Sequence, residues 1–199
     1  ITGVNDQVIT NRQPVFSIKK ENYIYTHTKE PVEVAKDDVV IYTLRIYNEG
    51  DIAGYAEEVK DDVPEGLEFL PENSINTEYR WIMYDETGKE TDNVEEAVTI
   101  RTDYLSKSQE DETGRNNLLE AFDPETMQEP NYKEVKIAFK VILPNTSDEI
   151  IINTAEISND ADEEGKPVDD IDSTPDNDND TEDDIDIEKV KVTYFDLAL

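Results

Sequence analysis

The chain has 199 residues and a net charge of −32, from 50 acidic and 18 basic side chains, with no cysteine and a single histidine. That field repels nucleic acid and anionic membrane surfaces and attracts cations. Without cysteine there is no disulfide framework or thiolate metal site, and His27 alone leaves a His-based triad or zinc cage without partners. No apolar run is long enough to cross a membrane as a helix.

Period-two alternation dominates the chain. Val15-Phe-Ser-Ile-Lys19, Tyr23 to Thr28 and Val32-Glu-Val34 read as short strands, and Val39-Val-Ile-Tyr-Thr-Leu-Arg-Ile-Tyr47 as a longer one closed by Asn48-Glu-Gly50. Gly54 to Lys60 follows, and the turn Pro64-Glu-Gly66 leads into Leu67-Glu-Phe-Leu70. Tyr79 to Tyr84 pairs, through Glu86-Thr-Gly88, with Ala97 to Thr102. Asn116 to Phe122 has helical spacing, extendable back toward Leu105, inside a long loop from Ser106 to Asn131. Lys133 to Leu143 and Glu149 to Ser158 complete the strong strands. This pattern predicts an all-β chain folded as a β-sandwich.

The acidic charge is concentrated late. Residues 156 to 188 hold 16 acidic side chains against the one cation Lys166. Within this stretch, Asp169-Asp-Ile-Asp-Ser-Thr-Pro-Asp-Asn-Asp-Asn-Asp-Thr-Glu-Asp-Asp184 places carboxylates at nearly every second position, which turns hard oxygen ligands to one side of an extended loop. Large, oxygen-loving Ca²⁺ is the ion that suits them, with Asp169, Asp170, Asp172, Asp176, Asp178, Asp180, Glu182, Asp183 and Asp184 as candidate ligands. The bland reading is a solvated acidic linker. The EF-hand template does not fit: Thr181 stands where its glycine belongs and Ile187 where its bidentate glutamate belongs. Val190-Lys-Val-Thr-Tyr-Phe-Asp-Leu-Ala-Leu199 alternates again, so the segment reads as a loop between strands. Neither end carries a polar fringe, and both read as cut from a longer polypeptide.

Four motifs stand in order: Lys29 ahead of Val39 to Tyr47, the strand end Tyr42 to Gly50, the turn Asp61-Asp-Val-Pro-Glu-Gly-Leu67, and Asn153-Thr-Ala155. Together they resemble the conserved-repeat, fimbrial isopeptide-forming domains of Gram-positive surface proteins, the stalk modules of pilins and adhesins. The resemblance implies an immunoglobulin-like Greek-key sandwich over residues 1–158, with a loop and short-helix insertion around 81–131. An acidic calcium loop over 159–189 and a terminal strand over 190–199 would run into the next module. It also implies a Lys–Asn isopeptide with Lys29 as nucleophile, Asn153 as carboxamide and Asp61 as proton shuttle; Lys19 and Lys20 are rival lysines. The expected role is a non-enzymatic, extracellular cell-wall spacer whose partners are neighbouring copies, in tandem or head to tail. No nucleic acid or membrane insertion is expected. The alternatives are an adhesin domain whose Trp81 to Asn131 insertion recognises a host glycan or protein, and a strand-exchanging filament subunit.

Overall fold

The computed structural model describes residues 31–143, 149–168, 173–179 and 182–193, together with the backbone of residues 4–10. Two packed sheets make a sandwich-like β fold. The four-stranded sheet runs β1 (Val4–Thr10), β3 (Val39–Tyr47), β8 (Tyr132–Val141), β5 (Leu67–Phe69). The six-stranded sheet runs β2 (Val32–Val34), β10 (Ile185–Val192), β9 (Ile150–Asp162), β4 (Gly54–Asp62), β7 (Thr99–Thr102), β6 (Ile82–Tyr84). All pairings are antiparallel except β10 with β2.

The alternation read in the sequence builds the interior. Val40, Tyr42, Leu44 and Ile46 of β3 and Val135, Ile137, Phe139 and Val141 of β8 are fully buried, facing Ile151, Ala155 and Ile157 of β9. Phe139 meets Tyr42 and Phe69 edge to face, both at 6.0 Å between ring centres. Each large side chain contributes roughly 1.5–3 kcal/mol by leaving water. At the Pro64-Glu-Gly66 turn, Gly66 has φ +100, and a Cβ there would stand 2.6 Å from Leu143, so both the backbone and the space require glycine.

The insertion extends the fold rather than hanging from it. β7 pairs with β4, Val59 against Thr102 to Asp62 against Thr99, and β6 pairs with β7, as the sequence pattern predicts. The expected helix over Asn116 to Phe122 is not there. Instead α2 spans Lys107–Thr113, started by Ser106, whose hydroxyl accepts from Gln109 N at 3.1 Å, and stopped by Gly114 at φ 72. Past that stop the chain is drawn straight, because Leu119 is fully buried and exchanges backbone hydrogen bonds with Gly54. A further short helix, α1 (Ser74–Glu78), gave no clear periodic signal. Its Asn76 carboxamide closes the open edge of β8, donating to Ala138 O and accepting from Ala138 N, both at 2.8 Å. Trp81 does the same two residues along, its indole N–H donating to Lys136 O at 2.7 Å.

The boundaries of the acidic segment shift inward. β9 continues to Asp162 and β10 begins at Ile185, so both flanks of the expected 159–189 loop are strand. Of the expected strand 190–199, residues 190–192 belong to β10, and 194–199 lie outside the described residues, as do Val15 to Lys19 and Tyr23 to Thr28. Val4 pairs with Ile46 at the end of the sandwich where β3 hands over to β4. Thr193 N donates to Val34 O, 2.8 Å, at the opposite end, where β2 turns into β3.

Candidate functional site

Two polar clusters grow from consecutive residues of β4, whose side chains leave the sheet on opposite faces. β4 carries an irregularity between Ala56 and Val59 against β9, and beyond it the register settles with Lys60 opposite Glu156 and Asp61 opposite Ala155. Asp61 therefore points into the sandwich, as does Asn153, two residues before Ala155 on β9. Both side chains are 0 % exposed, and the Asn153 carboxamide donates to Asp61 Oδ2 at 2.7 Å. Burial pushes the Asp61 carboxyl well above the usual carboxylate range; the bond from Asn153 pulls the other way and the neighbouring Asp62 charge adds to the rise. The second oxygen of Asp61 and the carboxamide oxygen of Asn153 have no hydrogen-bond partner among the described residues. A neutral carboxyl beside a carboxamide in an apolar interior can polarise the amide carbon and relay a proton, which is the arrangement expected of Asp61 and Asn153. Lys29, Lys19, Lys20 and His27 lie outside the described residues.

Glu188 was not singled out by the sequence reading. It is 1 % exposed and stands directly opposite Asn153 in the β9–β10 register. Residues facing each other in such a ladder have Cβ atoms about 5 Å apart, so a second carboxyl borders the same centre. The signal was available: Glu188 shares parity with Val190 and Val192, the inward residues of β10.

On the outer face of the same sheet, Lys60 is 5 % exposed and its ammonium lies 2.7 Å from Glu156 Oε2, 2.9 Å from Asp176 and 2.6 Å from Asp178. Burial works against the lysine's charge, but the bonds from Asp178, Glu156 and Asp176 outweigh it and raise its pKa above the usual range. Asp176 also meets Arg101 at 3.5 Å, and Arg101 pairs with Glu58 at 2.7 Å.

These contacts bear on the nine proposed calcium ligands. Asp169, Asp170, Asp172 and Asp180 lie outside the described residues. Asp176 and Asp178 are engaged with Lys60. Glu182 is occupied in accepting from Thr174 N and from the Asn177 and Asn179 carboxamides. Asp183 is exposed. Asp184 is different: it is 1 % exposed, neither oxygen has a hydrogen-bond partner among the described residues, and burial together with the Glu156 charge raises its pKa to about 7. Among the described residues, no three Asp, Glu, His or Cys side chains are arranged to hold a metal ion.

Trp81, on which ligand recognition by the insertion would rest, is 8 % exposed and packed in the core. Its aromatic face is not available to a glycan. No protein-family model matches the chain, and no curated protein matches it.

Proposed function

We propose that this chain is an immunoglobulin-like structural module of a bacterial cell-surface stalk or fibre, stiffened by an intramolecular Lys–Asn amide and by calcium. The observation that carries the reading is the fully buried Asp61–Asn153 pair, a carboxyl whose pKa burial raises, hydrogen-bonded to a carboxamide between two sheets. Burying such a pair costs desolvation that a single hydrogen bond only partly offsets.

A lysine from the segment ahead of β2, Lys29 or its rivals Lys19 and Lys20, presents its neutral amine to the Asn153 carboxamide carbon. The new C–N bond forms as the old one breaks, and the carboxamide nitrogen leaves as ammonia. Asp61 takes one proton from the attacking nitrogen and its carboxyl supplies one to the leaving nitrogen, so it ends as it began. A link from Lys29 to Asn153 closes a loop of more than a hundred residues, worth about 5 kcal/mol by the chain-entropy relation. Intact mass tests this. A mass one ammonia below the sequence value, restored to full in Asp61→Ala and in the variant lacking the right lysine, supports it; a full-mass wild type sinks it.

Calcium belongs to the same reading at the acidic segment, where the buried Asp184 carboxyl has no hydrogen-bond partner among the described residues. When bound, the ion would supply the positive charge that Asp184 lacks. An ion that binds the native fold and not the unfolded chain, at a hundredfold excess over Kd, would stabilise the fold by about 2.7 kcal/mol. An identical melting temperature in EGTA and in millimolar calcium removes this part. The backbone at Val4 and at Thr193 lies at opposite ends of the sandwich, the disposition a spacer between copies requires.

A further inference from the structure

The acidic segment carries charge enough to call for a cation, and one part of it already has one. We propose that Glu156, Asp176 and Asp178 form a cation site whose resident ion is the chain's own Lys60 ammonium, so that residues 173–179 dock on the sheet without metal.

The geometry is that of a filled site. The Lys60 ammonium donates to Asp176 and Asp178 at 2.9 and 2.6 Å, and Glu156 Oε2 completes the nest as an ion pair at 2.7 Å. Two of those residues, Asp176 and Asp178, sit in the left-handed backbone region, φ 61 and φ 54, where aspartate is among the few side chains tolerated. That backbone turns both carboxylates down onto the lysine. The other oxygen of Glu156 accepts from the Asn177 and Asp178 amides at 2.8 and 3.3 Å, so one glutamate grips the loop backbone and the lysine together. Arg101, at 3.5 Å from Asp176, brings a second fixed cation.

The distances also show what would replace the lysine. Calcium sits about 2.3–2.6 Å from its oxygens, a few tenths of an ångström inside the present nest. Removing the ammonium leaves three converging carboxylates, which repel one another until a cation draws them in. In the native chain that place is taken, and a divalent ion bound elsewhere in the segment does not use Asp176 or Asp178.

The test uses the full chain, amide hydrogen exchange and calcium titration. In wild type, the Asn177 and Asp178 amides should be equally protected in EGTA and in calcium. The double variant Asp176→Asn, Asp178→Asn should leave the calcium affinity of the wild type within twofold. Lys60→Gln should lose at least tenfold protection at those amides in EGTA and regain it in calcium, while Lys60→Arg stays independent of metal. Wild-type protection that disappears in EGTA overturns the inference, as does a double variant that no longer binds calcium. A folded Lys60→Gln chain that calcium does not rescue also overturns it. If Lys60→Gln fails to fold, the wild-type and double-variant arms decide. A wild type that binds no calcium but keeps these amides protected counts against the calcium part of the proposed function and for this one.

Discussion

Lys60 and Asp61 are neighbours on one strand, yet they solve opposite electrostatic problems. Inside the sheet, Asp61 has no cation among the described residues, and burial resolves the cost by driving it toward the neutral acid. Outside, Glu156 is as deeply buried, 1 % exposed, but keeps its partner ammonium at 2.7 Å. A one-residue step along a strand exchanges one face for the other, so one strand holds both a buried acid without a cation among the described residues and a buried ion pair. Whether a buried carboxyl is a chemical tool or a fastening follows from whether a cation was placed beside it.

The largest effect expected from breaking that contrast is on the inner side. If the amide forms, Asn153→Ala should run at full mass, keep the fold, and lose about 5 kcal/mol in urea unfolding. A loss no larger than that of an ordinary core truncation would say that Asp61 and Asn153 are a packing pair. On the outer side, Lys60→Met strands Glu156 among like charges. Removing one partner of a buried pair costs about 3–5 kcal/mol, and because Asp176 and Asp178 are 43 % and 67 % exposed, the lower end, about 3 kcal/mol, is expected.

Asp184 sharpens the comparison, being a buried carboxyl with neither arrangement. Its pKa is raised from 3.8 to about 7, so the native state holds this proton more tightly than the unfolded chain does. By linkage, the stability it allows is fully present below about pH 4 and declines as pH rises toward 7. Asp184→Asn should remove that decline and raise the melting temperature at pH 8 in EGTA. If calcium binds there, the same variant should melt lower than wild type in calcium; a variant lower than wild type in both buffers would overturn the assignment. The smallest expected effect is at the edge of β8: Asn76→Ala leaves Ala138 N–H and C=O without partners and should cost about 1–2 kcal/mol. A value near zero would mean that water takes over that edge.

Much of this could be read from the residues alone, and the reason is periodicity. β3 and β8 alternate with buried apolar side chains, β9 does so apart from Asn153, and Asp61 of β4 and Asn153 fall on inward positions next to recognisable turn and strand-end motifs. The helix was misplaced because Leu118 and Leu119 imitate a helical face, while the actual start and stop, Ser106 and Gly114, lie earlier. Asn116 to Phe122 is held extended by a contact with Gly54, which is 65 residues away from Leu119 in sequence. Lys60 was invisible for the same reason. Nothing local ties it to Asp176 or Asp178; only the β4–β9 register and the fold-back of the loop bring them together. The carboxylates of the acidic segment therefore looked uniform in the sequence, although the fold gives Asp178, Glu182 and Asp184 three different partners or none.

The opposite exits of the backbone have a mechanical consequence. Tension applied at Val4 and Thr193 would pull β1 lengthwise along β3, and β10 lengthwise along β9 and β2. Both strands are then loaded in shear, with their rows of backbone hydrogen bonds sharing the force instead of opening one after another from an end. A module pulled this way resists as a whole and yields abruptly, and a covalent link to Asn153 would hold the strand beside β10 after those rows had parted.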